Sequence, residues 1–426
     1  PNALTSIEIV QDPTQSGFTS DEAENKYYNY NLLLEGSFGS LGDPSVNLVY
    51  GTSENISTRF SWWSFGDYKI ETIGIQPKYV LSTTHGQLEN RLVTGVDLYY
   101  ETLTVDMYGE AARLNRTRTT EIEKDTVGWY IHDEISIGGN IILSGGVRFE
   151  SSETHGKLND LITPANNFDK EKEHDGEVFD LSATWLPKDS MKLYTRFSRV
   201  YRYPFVDEQA NYSGWGADDL NTDLEAEEGK SIEAGLEINP SQNFTYGLTL
   251  FNIDMEDEIS LNPVTWVNDN MDDSRHRGLE MYLDYGLEDV FDLRVNYTYQ
   301  ESTFEAGLNI GNDIPLVPNN LFAASLDLTL PHNIHLIPSL KYVDDSYLSG
   351  DTNNNTEKLN DYTVVDLLLR YKKSFRNTQL TVFFKIANIF DEEYSTWGID
   401  NAEWGFPNQF YPAPGRKFYG GISGTF

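Results

Sequence analysis

Apolar and polar residues alternate with a period of two along most of the chain. In one segment Phe291, Leu293 and Val295 share a face, opposite Asp292 and Arg294. Successive side chains of a β-strand point to opposite sides of the sheet, so this pattern predicts strands with one apolar and one polar face. The chain is therefore predicted to be all-β.

The alternating segments predict about seventeen strands. Short turns and long polar loops connect these strands alternately. The strands are predicted at approximately 27–38, 45–60, 69–83, 88–104, 124–136, 139–151, 175–187, 190–202, 227–239, 243–262, 273–286, 289–303, 317–330, 333–345, 360–373, 377–391 and 414–426. The long loops are predicted at roughly 105–123, 152–174, 203–226, 263–273, 303–316, 343–361 and 391–414.

Short turns on one rim and long loops on the other are typical of outer-membrane β-barrels. In hydrocarbon every backbone N–H and C=O must be paired, so a sheet spans a bilayer only as a barrel with apolar outward side chains. The apolar faces carry almost no charge, whereas the opposite faces carry Asp366, Arg370 and Lys385, among others. The pattern therefore predicts a transmembrane antiparallel β-barrel with a wet interior.

The last predicted strand ends on Phe426, on the same face as Phe418 and Ile422. Bacterial single-chain barrels have an even number of strands, and seventeen is odd. We therefore expect residues 1–426 to be the C-terminal part of a single barrel domain. Residues 1–26 are expected to form an extracellular loop that follows an upstream part outside this sequence.

The composition narrows the class of partner. The formal net charge is −36, from 67 Asp and Glu against 31 Lys and Arg. This disfavours nucleic acid as a partner and points to cations, metal chelates or solvation. The chain has no Cys, which excludes disulfides and thiolate metal sites. Aromatic residues make up 13%, which fits the aromatic girdles of a membrane interface.

Two long loops carry candidate ligand-binding side chains. The 203–226 loop has acidic residues but no Lys or Arg, and it contains Tyr212 and Trp215. This loop can be interpreted as the entrance to a binding site for a bulky chelate or cation, or as a solvated loop. The last long loop is rich in aromatic residues, which suit catecholate or macrocyclic ligands but are equally compatible with packing between loops. Its candidates are Tyr394, Trp397, Trp404, Phe406, Phe410 and Tyr411.

One segment has the ligand types of a calcium loop. "DTNNNTE" places Asp351, Asn353, Asn355 and Glu357 at alternate positions. The Gly at the turn is missing and the distal Glu comes too early, so the pattern matches only in part. No G-x-S-x-G, H-E-x-x-H or phosphate-loop motif occurs, so we expect no enzyme activity.

Several segments resemble TonB-dependent outer-membrane receptors. The C-terminal ones are "DYTVVDLLLRYKK" (361–373), "LTVFFKIANIFDEEY" (380–394) and "YPAPGRKFYGGISGTF" (411–426). The resemblance extends in order over nearly all of the chain from about residue 69, through "VGWYIHDEISIGGNIILSGGVRFE" (127–150) and "RHRGLEMYLDY" (275–285). Each motif is short, and their ensemble indicates the family.

The resemblance implies a barrel of about 22 strands around an N-terminal plug. The plug and the first strands are then absent from this sequence. Phe426 resembles the signal read by the barrel-assembly machinery, with the C-terminus in the periplasm. The implied function is active uptake of a ferric siderophore or another iron chelate across the bacterial outer membrane, by a monomer surrounded by lipid and energised by TonB. Cobalamin uptake, a passive porin or structural barrel, and a soluble all-β enzyme or propeller are the alternatives.

Overall fold

The computed structural model describes residues 3–15, 22–60, 64–211, 219–262, 265, 267–375, 378–402 and 405–425. Seventeen strands form one antiparallel sheet with barrel topology, and each is hydrogen-bonded to the next along the chain. They are β1 (Glu22–Glu35), β2 (Asp43–Phe60), β3 (Ser64–His85), β4 (Leu88–Tyr108), β5 (Arg116–Ile137), β6 (Ile141–Asp160), β7 (Phe168–Lys188), β8 (Met191–Arg202), β9 (Glu227–Ser241), β10 (Phe244–Glu256), β11 (Ser274–Leu287), β12 (Phe291–Phe304), β13 (Asn320–Leu330), β14 (Ile334–Val343), β15 (Tyr362–Phe375), β16 (Thr378–Ala387) and β17 (Lys417–Thr425).

Smaller elements lie outside the main sheet. The helix Ser6–Gln11 begins with a capping box between Thr5 and Glu8, and 3₁₀ turns cover Gly39–Leu41 and Pro164–Asn166. Short strands in the connections are Leu4–Thr5, Ala210–Asn211, Asp219–Leu220, Ile259–Leu261, Asn268–Asn270, Ser346–Tyr347, Lys358–Leu359, Ser395–Ile399 and Gln409–Pro412. Within the described residues, no helix is long and apolar enough to cross a membrane.

The two end strands of the sheet are more open than the strands between them. In the described registers, β1 pairs with β2 and β17 pairs with β16, and neither end strand has a second neighbour. Leu32, Leu33 and Leu34 of β1 are consecutive, so they lie on both faces, and each is more than half exposed. The side chains of β1 are thus accessible from both sides of the sheet.

The structure confirms the predicted number of strands and most of their predicted bounds, with one correction. The segments 105–123 and 152–174, predicted as loops, lie largely within β4 to β7, which extend well past the predicted ends. The prediction was wrong because β5 carries Glu121, Glu123 and Asp125 on one face here, where no apolar stripe marks a strand. Ile122 and Lys124 lie on the opposite face and are buried by another part of the chain.

The outward face of the sheet carries a belt of exposed apolar side chains. Ile75, Leu98 and Val127 are paired in register across β3, β4 and β5, and all three are exposed. On β7 the outward positions change from apolar to acidic above this belt, at Asp169, Glu171, Glu173, Asp175 and Glu177. An apolar belt bounded by charge is the surface that a bilayer requires.

The inward face is polar and several of its charges are paired. Lys385 lies 2.7 Å from Asp366, and Arg370 lies 2.7 Å from Asp327. On the other side of the interior, Arg148 lies 2.6 Å from Asp97. Buried charges are costly unless they are paired and hydrated, so this face lines a wet interior.

Candidate functional site

The long connections lie on one rim of the sheet and the short turns on the other. We call the first the long-loop rim, and its five longest loops are 203–226, 257–273, 305–319, 344–361 and 388–416. We call the other the short-turn rim. It includes the connections 36–42, 86–87, 138–140 and 288–290.

The described parts of the 203–226 loop, 203–211 and 219–226, fold inward over the extended ends of β4 to β7. Its Val206 and Leu220 join Leu103, Val105 and Ile122 in a buried apolar cluster on the inward face. The inward side of these strands is therefore covered by protein above the apolar belt. This explains why the strands continue far beyond the length needed to cross a bilayer.

Both ends of this loop are held by titratable side chains of the wall. The Lys124 ammonium donates a hydrogen bond to the carbonyl oxygen of Pro204 at 2.8 Å. His174 Nε2 donates to the carbonyl oxygen of Leu224 at 2.9 Å, so Nε2 carries the proton. Burial lowers the pKa of both side chains, because it disfavours the charged form.

The acidic residues of the 203–226 loop are partly neutralised by the wall. Asp219 lies 2.7 Å from the Lys170 ammonium, and Glu225 lies 2.7 Å from Lys172. Both lysines lie on the inward face of β7, in the segment 152–174 that the sequence pattern predicts as a loop. Tyr212 and Trp215, the aromatic candidates of this loop, lie outside the described residues.

The hydrogen bond from His174 predicts a pH dependence of loop docking. An unfolded His has a pKa of about 6.5. The folded pKa is lower, so docking has full strength above that pH and weakens as the pH falls below it, because the undocked state binds the proton more tightly. We expect hydrogen exchange in residues 219–226 to rise when the pH is lowered from about 7.5 to 5.5, after correction for intrinsic rates.

The control for this prediction is His174→Gln, which keeps a donor for the Leu224 carbonyl oxygen but does not titrate. We expect its protection in residues 219–226 to vary little over the same pH range. Equal pH dependence in both proteins would show that another group controls docking. Lys172, Glu225 and Lys124 are the charged groups that act on His174.

The last long loop forms a small sheet of its own. Ser395–Ile399 pairs with Gln409–Pro412, which also pairs with Leu4–Thr5. Phe410 is buried against Leu348 and Leu359 of the 344–361 loop, with Ile9 packed alongside. The residues before β1 and two long loops are thus packed together at this rim.

The structure separates the aromatic candidates of this loop into different environments. Phe410 packs between loops, and Trp397 contacts Tyr411 edge to face with ring centroids 4.9 Å apart. Tyr394 packs on Tyr362 at 4.3 Å, whereas Phe406 is 68% exposed. Trp404 lies outside the described residues, as does Phe426.

Asp351, the first residue of the calcium candidate, is buried and caps a turn. Its carboxylate accepts hydrogen bonds from the backbone N–H groups of Asn355 and Thr356, each at 3.1 Å. The side chains of Asn353, Asn355 and Glu357 are exposed. Among the described residues, no group of three or more His, Asp and Glu side chains is placed to hold a metal ion.

A cavity of about 450 Å³ lies among four loops of the long-loop rim. Its apolar lining includes Leu261 and Met271. Its acidic lining is Asp269, Asp272 and Asp400. Sequence reasoning missed these residues, because they come from two polar loops, 257–273 and 388–416, that only the fold brings together. We call this space the loop cavity.

Gly307 permits a close approach of two loops beside the loop cavity. Its φ of 71° lies in the left-handed region, and a Cβ at this position would collide with the Asp272 carboxylate. A residue with a side chain would displace Asp272 from the cavity wall.

A larger cavity of about 800 Å³ lies on the inward face of β12 to β17. Its lining includes Arg294, Lys341 and Asp366. Tyr394 also lines it, so this candidate lies where the last loop meets the interior. We call this space the inner cavity.

The family model "TonB dependent receptor-like, beta-barrel" matches residues 4–389 of the chain. The chain belongs to the TonB-dependent receptor family. This confirms the resemblance seen in the sequence and the barrel fold. An uncharacterized TonB-dependent receptor of Haemophilus influenzae is 23% identical over 295 residues, which cover 65% of this chain and 80% of the relative.

Solved structures of two transporters and one import receptor have the same fold. The ferric citrate transporter FecA, in its unliganded form, gives a TM-score of 0.80 at 18% identity over 100% of this chain. The ferric-catecholate import receptor Fiu of E. coli K12 gives 0.74 at 15% identity over 95%, and the copper transporter OprC gives 0.73 at 15% identity over 94%. The chain spans 65% of the length of FecA, 64% of Fiu and 66% of OprC.

Proposed function

We propose that the protein is a receptor that takes up a metal chelate, in the first place a ferric siderophore, across the bacterial outer membrane with energy supplied through TonB. Membership of the TonB-dependent receptor family carries this proposal. The loop cavity supports it, because it is a concave space at the rim with a mixed apolar and polar lining, as ligand sites usually have. Uptake of this kind requires binding and conformational work but no covalent chemistry.

In this proposal the long-loop rim faces the outside of the cell. The final strand β17 ends at the short-turn rim, since Thr425 pairs with Gln379 beside the turn between β15 and β16. The short-turn rim and the C-terminus would then face the periplasm, where TonB acts. The apolar belt contacts lipid, and the wet interior provides the route for the ligand.

The aromatic residues of the last loop are proposed to make the first contacts with the chelate. Phe406 is exposed and free to stack on a ligand. Trp397 and Tyr411, whose rings contact each other, lie in the small sheet formed by the same loop. Tyr394, which lines the inner cavity, would contact the ligand later on its path. Aromatic rings bind planar or macrocyclic chelates by stacking and apolar burial.

Uptake of iron chelates tests the function. A strain that lacks the gene is complemented with the full-length gene, with and without an active TonB, and is offered radiolabelled ferric chelates under iron limitation. We expect accumulation only when both proteins are present. Uptake that persists without TonB and rises linearly with concentration would identify a passive pore, and competition by cobalamin would identify a cobalamin receptor.

Phe406→Ala is expected to weaken uptake while the protein still folds. A lost stacking contact of about 0.5–1.5 kcal/mol corresponds to a rise of roughly 2- to 13-fold in the concentration for half-maximal uptake. The matched control is Phe38→Ala, since Phe38 is similarly exposed at 64% but lies in the turn 36–42 of the short-turn rim. Equal effects of the two substitutions would remove Phe406 from the ligand site.

A further inference from the structure

We infer that the ligand of the long-loop rim is a positively charged metal complex, such as a ferric chelate that carries an ammonium group. This inference rests on the function proposed above and specifies the class of substrate. The distribution of charge among the loops carries it, together with the position of the loop cavity. A uniformly acidic protein surface would carry no such information.

The acidic residues are concentrated in the five longest loops. These loops contain twenty-three Asp and Glu but only one Lys and one Arg, and so hold 21 of the 36 net negative charges of the chain. The other described connections on the same rim, 109–115 and 161–167, contain one Glu and one Arg between them. Among the connections of this rim, the acidity is therefore concentrated in the five longest loops, four of which line the loop cavity.

The two bases of these loops do not offset the field at the cavity, and one of them, Arg416, lies 3.3 Å from Asp391. Lys358 lies 2.7 Å from Asp345 and its ammonium lies over the Tyr347 ring. Basic residues at the ends of neighbouring strands form ion pairs with acidic residues near the starts of the loops. Arg202 pairs with Glu208, and Arg275 pairs with Glu305. Those acids are neutralised locally.

The carboxylates of the loop cavity are in a different situation. Asp269 accepts a hydrogen bond from Asn262, and Asp400 accepts one from the backbone N–H of Ala402. Within the described residues, neither of them nor Asp272 forms an ion pair with Lys, Arg or His. Three carboxylates without cationic partners therefore surround a space whose floor includes Phe304 and Ile314.

A cavity of this kind selects by charge. Clefts lined by charge of one sign and backed by apolar walls focus the electric field and raise the local concentration and association rate of the opposite charge, by about 10- to 1,000-fold. The same field repels an anionic chelate, such as a tris-catecholate with three negative charges. An apolar floor adds stacking or burial for the body of a cationic complex.

The test uses three ferric trihydroxamates that share one chelating core. One carries a terminal ammonium group, one is acetylated there and neutral, and one is succinylated and anionic. Binding to the full-length receptor in detergent is followed by quenching of tryptophan fluorescence at low and high salt. We expect the affinity to fall by about 10-fold or more from the cationic to the anionic compound, and high salt to reduce that difference.

The substitutions Asp269→Asn, Asp272→Asn and Asp400→Asn, combined in one protein, are expected to abolish most of the charge preference. The control combines Asp189→Asn, Glu288→Gln and Asp289→Asn, which remove the same number of charges from the short-turn rim. We expect it to bind like the parent protein. Because Asn and Gln are close in size to Asp and Glu, both proteins should fold.

The outcomes separate this inference from the proposed function. Equal affinity for the three compounds, or preference for a tris-catecholate, overturns the charge inference and leaves iron-chelate uptake in place. An equal loss of preference in the control protein overturns the assignment to the loop cavity. If no iron chelate of any charge binds or is accumulated, the proposed function fails and the inference fails with it.

Discussion

Val295→Arg is expected to lower the free energy of unfolding by about 2–4 kcal/mol in a lipid bilayer. Val295 lies on the outward face of β12, midway along the apolar series that runs from Phe291 to Tyr299. A guanidinium at that depth must leave water or distort the bilayer around it. Reversible unfolding by guanidinium chloride in lipid vesicles, followed by tryptophan fluorescence, measures the change.

The control for Val295→Arg is Thr298→Arg on the same strand. Thr298 lies on the inward face and is paired across the strands with Glu280, which can accept the new charge in the wet interior. We expect a change below about 1 kcal/mol, the usual range for an exposed ion pair. If the two substitutions cost the same, the outward face is not in contact with hydrocarbon.

Leu220→Ala is expected to destabilise the docked form of the 203–226 loop by about 2–5 kcal/mol. Leu220 is 1% exposed and packs beside Gly156, where an added Cβ would meet its side chain at 2.9 Å. The substitution leaves a cavity between loop and wall. Hydrogen exchange in residues 219–226, and limited proteolysis of the loop in detergent, should both increase while the barrel strands stay protected.

Leu308→Ala is the matched control, because Leu308 is 100% exposed in another loop of the same rim. It removes the same atoms without removing a buried contact. We expect no change in proteolysis or exchange of the 203–226 loop. Unchanged proteolysis in Leu220→Ala would show that the buried cluster does not hold this loop.

Sequence periodicity predicted the barrel well where one face contacts lipid. For β12 the alternation of Phe291, Leu293 and Val295 with polar residues placed the strand within two residues of its bounds. It failed for the upper half of β5, where Glu121 and Glu123 face water and Ile122 faces a loop that is distant in sequence. Alternation still exists there, but its apolar side is short and interrupted by Lys124.

The candidate site was less predictable, because it is built by contacts between loops. Aromatic density marked the last loop, but it did not distinguish Phe410, which is buried between loops, from Phe406, which is exposed. The acidic character of the loops was visible in the sequence. Their arrangement around one cavity was not, since it depends on which loops meet at the rim.

The strands differ greatly in length, so one side of the sheet is much taller than the other. β5 has 22 residues and β16 has 10, which corresponds to roughly 70 Å and 33 Å of extended chain. The side of β5 to β7 therefore projects beyond the bilayer as rigid sheet with an acidic outer surface. In the proposed orientation, antibodies against whole cells should recognise this projecting sheet readily.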